Sequence, residues 1–243
     1  MVAPCKTIAM WSGPRNLSTA LMYSFAARGD CAIWDEPFYA AYLAATFLDH
    51  PMRNEILVSH ETNAGKVAKA CAEQPQLDQP LFYQKHMTQH MIPQFDRGFM
   101  RQCANVFLIR HPALVVASYA KKREEPSFSD IGFVQQAKLF EEVTIWQGQR
   151  PVVIDSQDIL ASPAQSLGRL CAALGIEYSA SMLSWPKGGH QDDGIWASHW
   201  YGAVHCSTGF DRPSAGVEAL VPEYADLVAQ ALPYYEALAA FKL

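Results

Sequence analysis

Ile8-Ala9-Met10-Trp11-Ser12-Gly13-Pro14-Arg15-Asn16-Leu17-Ser18-Thr19 is the stretch that decides the reading of this 243-residue chain. An apolar run ends in small and turn-forming residues and then enters a helical pattern, which predicts a strand, a tight loop and a helix. The first N–H groups of a helix have no partner within it, and its N-terminus is the positive end of the dipole. A loop of Gly13, Arg15, Ser18 and Thr19 at that point is suited to hold an anion, above all a phosphate. The loop of nucleotide triphosphatases would need a second glycine followed by lysine, and that pair is missing. The only cation of the loop is Arg15, placed before the hydroxyl pair Ser18 and Thr19.

A second segment has the same grammar. Asn105 to Ile109 is an apolar, strand-like run closed by Arg110, His111 and Pro112, with a helical stretch from Ala113 to Lys122 behind it. Arg110 and Ser118 can grip one phosphate from two directions, the guanidinium by a forked, charge-assisted contact. A third strand-like run, Val152 to Ile154, passes through an acidic turn at Asp155 to Ser162, a fitting helix cap, and Pro163, a fitting first helical residue. That helix would stop at Gly175.

The order Pro14, Arg15, two residues, Ser18, Thr19 resembles the 5′-phosphosulfate loop of sulfotransferases, and the Arg110, Pro112, Ser118, Tyr119 pattern resembles their 3′-phosphate segment. The chain is identified as a divergent, bacterial-type member of that family, the matches running from the loop to Gly175. The resemblance implies an α/β fold, a three-layer sandwich with a central parallel sheet of P-loop NTPase-like topology. It implies 3′-phosphoadenosine 5′-phosphosulfate (PAPS) as co-substrate, held by Arg15, Asn16, Ser18 and Thr19 on the phosphosulfate and by Arg110 and Ser118 on the 3′-phosphate. No metal is expected, and the acceptor is a small molecule or carbohydrate offering a hydroxyl or amine. The region from Asp193 to Phe210 stands where such enzymes close a loop over the nucleotide. It lacks their Arg-Lys-Gly sequence, although Lys187, Gly188 and Gly189 come shortly before it.

Two residues compete for the base that takes the acceptor's proton. Glu36, in Trp34-Asp35-Glu36-Pro37-Phe38, resembles the base of bacterial carbohydrate sulfotransferases; the alternative is plain helix capping by Asp35 with Pro37 at the first helical position. His86, beside Lys85, resembles the Lys and His segment of aryl and steroid sulfotransferases, with Lys85 adding charge stabilisation on the leaving phosphate. In those enzymes one residue separates the two. Here they are adjacent, and adjacent strand residues point to opposite faces. His86 and His90 stand four apart, as zinc ligands on a helix do, but no third ligand accompanies them. The aromatic run Trp196 to Tyr201 fits an acceptor pocket, a lid or plain core.

Strand-like runs near 6–11, 31–34, 81–86, 105–110 and 151–155 alternate with helical patterns at Leu17 to Arg28, Phe38 to Leu48, Gly132 to Trp146 and Tyr224 to Ala240. Such alternation predicts a parallel sheet with helices on both faces. No linker-like tract divides the chain, so one domain over 1–243 is expected. The net charge of −5, without a basic stripe, argues against nucleic-acid or anionic-membrane partners. Six scattered cysteines and no long apolar run fit a cytoplasmic protein with reduced thiols. Two other functions remain open from the residues. A P-loop kinase using ATP and magnesium would use Asp155 at a strand end, and a noncatalytic nucleotide-binding module would keep the anion site without the base.

Overall fold

A computed structural model describes residues 5–73, 79–120, 126–211 and 222–243. Its centre is a five-stranded sheet of β1 (Lys6–Ser12), β2 (Cys31–Asp35), β3 (Leu81–Met87), β4 (Ala104–Ile109) and β5 (Val152–Asp155). All neighbours are parallel and the order is β2-β3-β1-β4-β5. The α/β class and parallel sheet expected from the sequence are present.

Strand periodicity explains the layers. Successive side chains of β1 alternate: Ile8 and Met10 enter one core, Ala9 and Trp11 the other. The first core is closed by α1 (Ser18–Ala26) and α8 (Pro163–Leu174), through residues such as Leu21, Phe25, Leu167 and Leu170. The second is closed by α4 (Ala64–Ala72), α6 (Phe133–Gln147) and α11 (Ala225–Ala239), through Val67, Leu139, Phe140 and Leu238. Smaller clusters seat α2 (Tyr39–Thr46) and α3 (Arg53–Ser59) on one end and α5 (Pro112–Ala120) against α6 and α11 on another. Among the described residues no helix is long and apolar enough to cross a membrane.

Gly175 ends α8 in the left-handed region at φ 62°, as the sequence predicts. Asp155, read as an acidic turn, opens an additional short helix, α7 (Ser156–Ala161), its side chain accepting from Gln157 N–H at 2.8 Å. Ser162 stands at the α8 cap position but makes no capping bond, because it also terminates α7. Lys121 and Lys122, at the end of the expected Ala113 to Lys122 helix, lie outside the described residues, as does the side chain of Tyr119.

The strand order creates a crevice. From β1 the chain crosses to β2 and β3 on one side, whereas from β4 it crosses to β5 on the other. Loops leaving the carboxyl ends of β1 and β4 therefore diverge, which is where open α/β sheets bind ligands. Gly13 is required there: a Cβ would stand 2.7 Å from the carbonyl oxygen of Ile131, so only glycine allows the loop to seat against the 131–132 turn.

His86 lies on the second-core face. It is 2% exposed, stacks on Trp11 at 4.3 Å between ring centroids and bonds Gln84 Oε1 at 3.0 Å. Burial, helped by His90 and Lys85, pushes its pKa down from 6.5 to about 3. Below pH 6.5 the unfolded chain takes up a proton that the folded chain refuses, so stability falls as pH drops from 6.5 towards 3. His86→Phe should flatten that slope, read from urea unfolding at a series of pH values in that window. An unchanged slope would show that His86 is not a source of the acid lability.

Candidate functional site

The loop after β1 holds two left-handed residues, Arg15 at φ 63° and Leu17 at φ 73°. Non-glycine residues adopt this conformation at a cost, and it is found where a binding geometry requires it. Leu17 is the N-cap of α1 and makes no side-chain capping bond, so no cap closes the end of the helix. Asn16 is anchored by donating to the Leu108 carbonyl at 3.2 Å, with its Oδ1 left without a partner. Arg110, just past β4, donates to the Arg15 carbonyl at 2.6 Å, and Arg15 Nε donates to Ser118 Oγ on α5 at 3.0 Å. The two segments singled out from the sequence are therefore physically joined.

They line one cleft of about 420 Å³ at the carboxyl ends of β1, β3 and β4. Arg15, Asn16, Ser18, Thr19, Glu36, Lys85, Arg110 and Ser118 all border it, whereas His86 does not. Burial and the neighbouring Arg15 lower the Arg110 pKa, against the pull of Asp155. Two guanidiniums pressing on each other are relieved by an anion between them. Among the buried polar atoms without a hydrogen-bond partner, Arg110 Nε is a donor that an anion would meet, whereas the amide oxygens of Asn16 and Gln89 call for a donor. Asn16 Oδ1, Gln89 Oε1, His90 Nδ1 and Arg110 Nε all belong to cleft-lining residues. Such atoms are costly unless a ligand or water meets them.

The other end of the cleft is built around Lys85, 1% exposed. Its ammonium donates to Asp35 Oδ1 at 2.9 Å, to Tyr201 Oη at 2.7 Å, and to Glu36 Oε1. Those bonds use all three of its N–H groups. Burial works against the Lys85 charge, but Asp35 and Glu36 outweigh it and hold the pKa above its ordinary value. Burial raises the Asp35 carboxyl, against the Lys85 charge. The Tyr201 hydroxyl is within bonding distance of Asp35 Oδ2 at 2.8 Å and of Glu36 Oε1 at 3.2 Å, and it accepts from Trp196 Nε1 at 3.0 Å. One phenolic proton serves one carboxylate, and its two lone pairs meet Lys85 and Trp196. Gly194 N–H reaches Asp35 Oδ2 at 3.1 Å.

Glu36 is set into the cleft by its backbone. Its N–H extends the sheet by one bond to the Lys85 carbonyl at 2.9 Å, and its φ of 42° then turns the chain before Pro37. α2 starts at Tyr39, with Phe38 as N-cap and no side-chain cap. Asp35 is thus not the helix cap that the sequence allowed; its carboxylate is taken by Lys85 and Tyr201. Lys85 and His86 do point to opposite faces, and Lys85, fully engaged by its three partners, is a buried clamp. Asp155, the magnesium candidate of the kinase reading, is 1% exposed, accepts from Gln157 N–H and from Tyr235 Oη at 2.7 Å, and does not border the cleft.

A family model described as a sulfotransferase domain matches residues 6–242. The chain belongs to the sulfotransferase family. Among solved structures it resembles the sulfotransferase domain of the Synechococcus PCC 7002 olefin synthase, with TM-score 0.53 and 17% identity over 93% of this chain and 94% of that one. It also resembles a sulfotransferase from Alicyclobacillus acidocaldarius, with TM-score 0.51 and 13% identity over 100% and 98%. At these identities the likeness is one of fold, and it places the five-stranded sheet in the P-loop-like sulfotransferase class. In sequence it is 36% identical over 237 residues to branched-chain-amino-acid aminotransferase-like protein 1 of Arabidopsis thaliana and 35% identical over 233 residues to protein 2. Those matches cover 98% and 96% of this chain but 42% and 41% of theirs, so it spans about two fifths of the length of these curated relatives.

Sequence reasoning missed Asp35 as a site residue, Tyr201 as a contact of Glu36, and His90 as a cleft residue. His86 and His90 do not share a helix: His86 is on β3 and His90 in the turn after it, and of the two His90 alone borders the cleft.

Removing a buried ion-pair partner costs about 3–5 kcal/mol. Lys85→Met should therefore destabilise the fold by that amount, with Tyr201→Phe costing about 1–3 kcal/mol, in urea unfolding at neutral pH. A Lys85→Met loss under about 1 kcal/mol would contradict the clamp.

Proposed function

We propose that this protein transfers the sulfonyl group of PAPS to an acceptor hydroxyl or amine, acting as one domain. The observation that carries the reading is the pair of arginines, Arg15 and Arg110, facing one cleft beside an uncapped helix start, with unpartnered donor and acceptor atoms around them. Bound there, PAPS would supply a sulfonyl group on a phosphate leaving group. The loop N–H groups, Arg15, Ser18 and Thr19 would hold the phosphosulfate, and Arg110 with Ser118 the 3′-phosphate. Fixed donors of this kind stabilise charge that develops on a leaving oxygen.

Glu36 fits the base better than His86. It borders the cleft, whereas the His86 ring is packed away from it between Trp11 and Phe38. The Lys85 clamp fixes Glu36 Oε1 and leaves Oε2 directed to His90 at 3.8 Å. A base must be within reach of the proton it takes, and of these two candidates Glu36 lies on the cleft and His86 does not, which supports Glu36.

Arg110→Ala should weaken binding of adenosine 3′,5′-bisphosphate by about 1.5–3 kcal/mol while hardly changing that of AMP, measured by calorimetric titration. Equal losses for both nucleotides would take the 3′-phosphate away from Arg110. Glu36→Gln should lower turnover with PAPS by about 10²–10⁴, and His86→Phe far less. The reverse ranking would exchange their roles.

A further inference from the structure

Residues 184–209 form a strap that leaves the body of the fold and returns beside its own start. Ser184 and Gly209 make an antiparallel bridge, Trp185 N–H donates to the Thr208 carbonyl at 3.1 Å, and Gly188 N–H donates to the His205 carbonyl at 2.8 Å. Gly209 keeps the two limbs close, since a Cβ there would stand 2.9 Å from the Leu183 carbonyl oxygen. Tyr201, Val204 and Ser207 of the strap, and Phe210 just past it, border the cleft.

One carboxylate gathers the strap. Asp193, its side chain 8% exposed, accepts at Oδ2 from Tyr23 Oη on α1 at 2.5 Å, from the His190 backbone N–H at 3.0 Å, and from His205 Nε2 on the return limb at 3.1 Å. An ionised carboxylate only accepts, so His205 donates through Nε2–H. Burial and the bond to Asp193 hold the Tyr23 phenol well above its ordinary pKa, so it remains a donor. Bonds to a charged acceptor are about twice as strong as neutral ones, and these tie together three separate stretches of chain. Oδ1 of the same carboxylate is buried without a partner. A neutral amide would close the local turn at His190, so the buried charge serves the bonds to Tyr23 and His205.

The place of this knot links both ends of the cleft. Tyr23 lies on α1 four residues beyond Thr19, on the helix that begins in the anion loop. The next strap residue, Gly194, donates its N–H to Asp35 Oδ2 in the Lys85 cluster, and a Cβ at 194 would stand 2.1 Å from the Trp196 ring. Two consecutive residues thus fasten the strap to α1 on one side and to the network around Glu36 on the other.

We infer that Asp193 is a positioning residue, a latch that holds the 184–209 strap on α1 and thereby keeps the strap's cleft-facing residues in place for a bound nucleotide. The inference rests on the donor-site reading above and adds a residue that itself touches no ligand. A strap in place for only a fraction of the time lowers the apparent affinity by that fraction.

The test combines amide hydrogen exchange, read by mass spectrometry on peptides from 195–209, from β1 and from β4, with calorimetric titration of adenosine 3′,5′-bisphosphate. It uses the whole protein as wild type, Asp193→Asn, Tyr23→Phe, His205→Leu and His205→Gln. Asn keeps the shape and removes the charge, Phe keeps the ring beside Trp185, and Gln returns an N–H donor that Leu lacks. In Asp193→Asn the strap peptides should exchange at least about tenfold faster while those of β1 and β4 do not change, and the bisphosphate should bind about tenfold more weakly. Tyr23→Phe and His205→Leu should move both readouts the same way, and His205→Gln should return them to within about threefold of wild type. Unchanged strap exchange, an increase spread equally over β1 and β4, or a loosened strap with unchanged bisphosphate affinity would overturn the assignment. Failure of the wild type to bind the bisphosphate would instead sink the donor-site reading, and the exchange measurement would still decide whether Asp193 is the latch. If Asp193→Asn does not fold, Tyr23→Phe and the two His205 variants decide it.

Discussion

A lysine ammonium sealed from water between two carboxylates and a phenol is the interaction on which the site depends. Lys85 comes from β3, Asp35 and Glu36 from the end of β2, and Tyr201 from the far C-terminal part of the chain. Taking such charges out of water costs several kcal/mol per ion, and only a complete set of partners offsets it. The set is complete here: three donors on Lys85, both oxygens of Asp35, and both lone pairs of the Tyr201 hydroxyl have assigned partners. A buried network of this kind is stable in one arrangement, and that arrangement fixes Glu36 at one oxygen while leaving the other facing the cleft.

The opposite end of the cleft follows from topology. Because β1 and β4 send their chains to opposite sides, a gap opens between the loop after β1 and the residues after β4. Arg110 crosses it to the Arg15 carbonyl, and Arg15 crosses back to Ser118. Two cations are thereby held close in a place where the backbone is already strained at Arg15 and Leu17. The cost of that arrangement is understandable if an anion with phosphate-like geometry belongs there. The two ends thus have opposite electrostatic character, one cationic and one with carboxylates in excess.

Much of this was legible in the sequence, because local signals carried it. The loop from Ser12 to Thr19 and the Arg110 to Ser118 segment each sit on one strand-to-helix turn, where residue types and spacing speak directly. The strands were found within a residue or two, since apolar runs with flanking turn residues mark buried parallel strands. Lys85 and His86 were correctly expected to diverge, by the two-residue period of a strand. What was not legible depends on contacts between residues distant in the chain. Asp35 looks like a helix cap until Lys85 and Tyr201 are brought to it, and Tyr201 lies 166 positions from Asp35. His90 comes near Glu36 only because Glu36 turns at φ 42°, which brings Oε2 to 3.8 Å from Nδ1.

The most direct test of the account is a calorimetric titration of the whole protein with adenosine 3′,5′-bisphosphate, AMP and ATP, each with and without magnesium. The bisphosphate should bind most tightly, and magnesium should not change its affinity. Tighter binding of ATP, dependent on magnesium, would contradict it and return the cleft to the kinase reading.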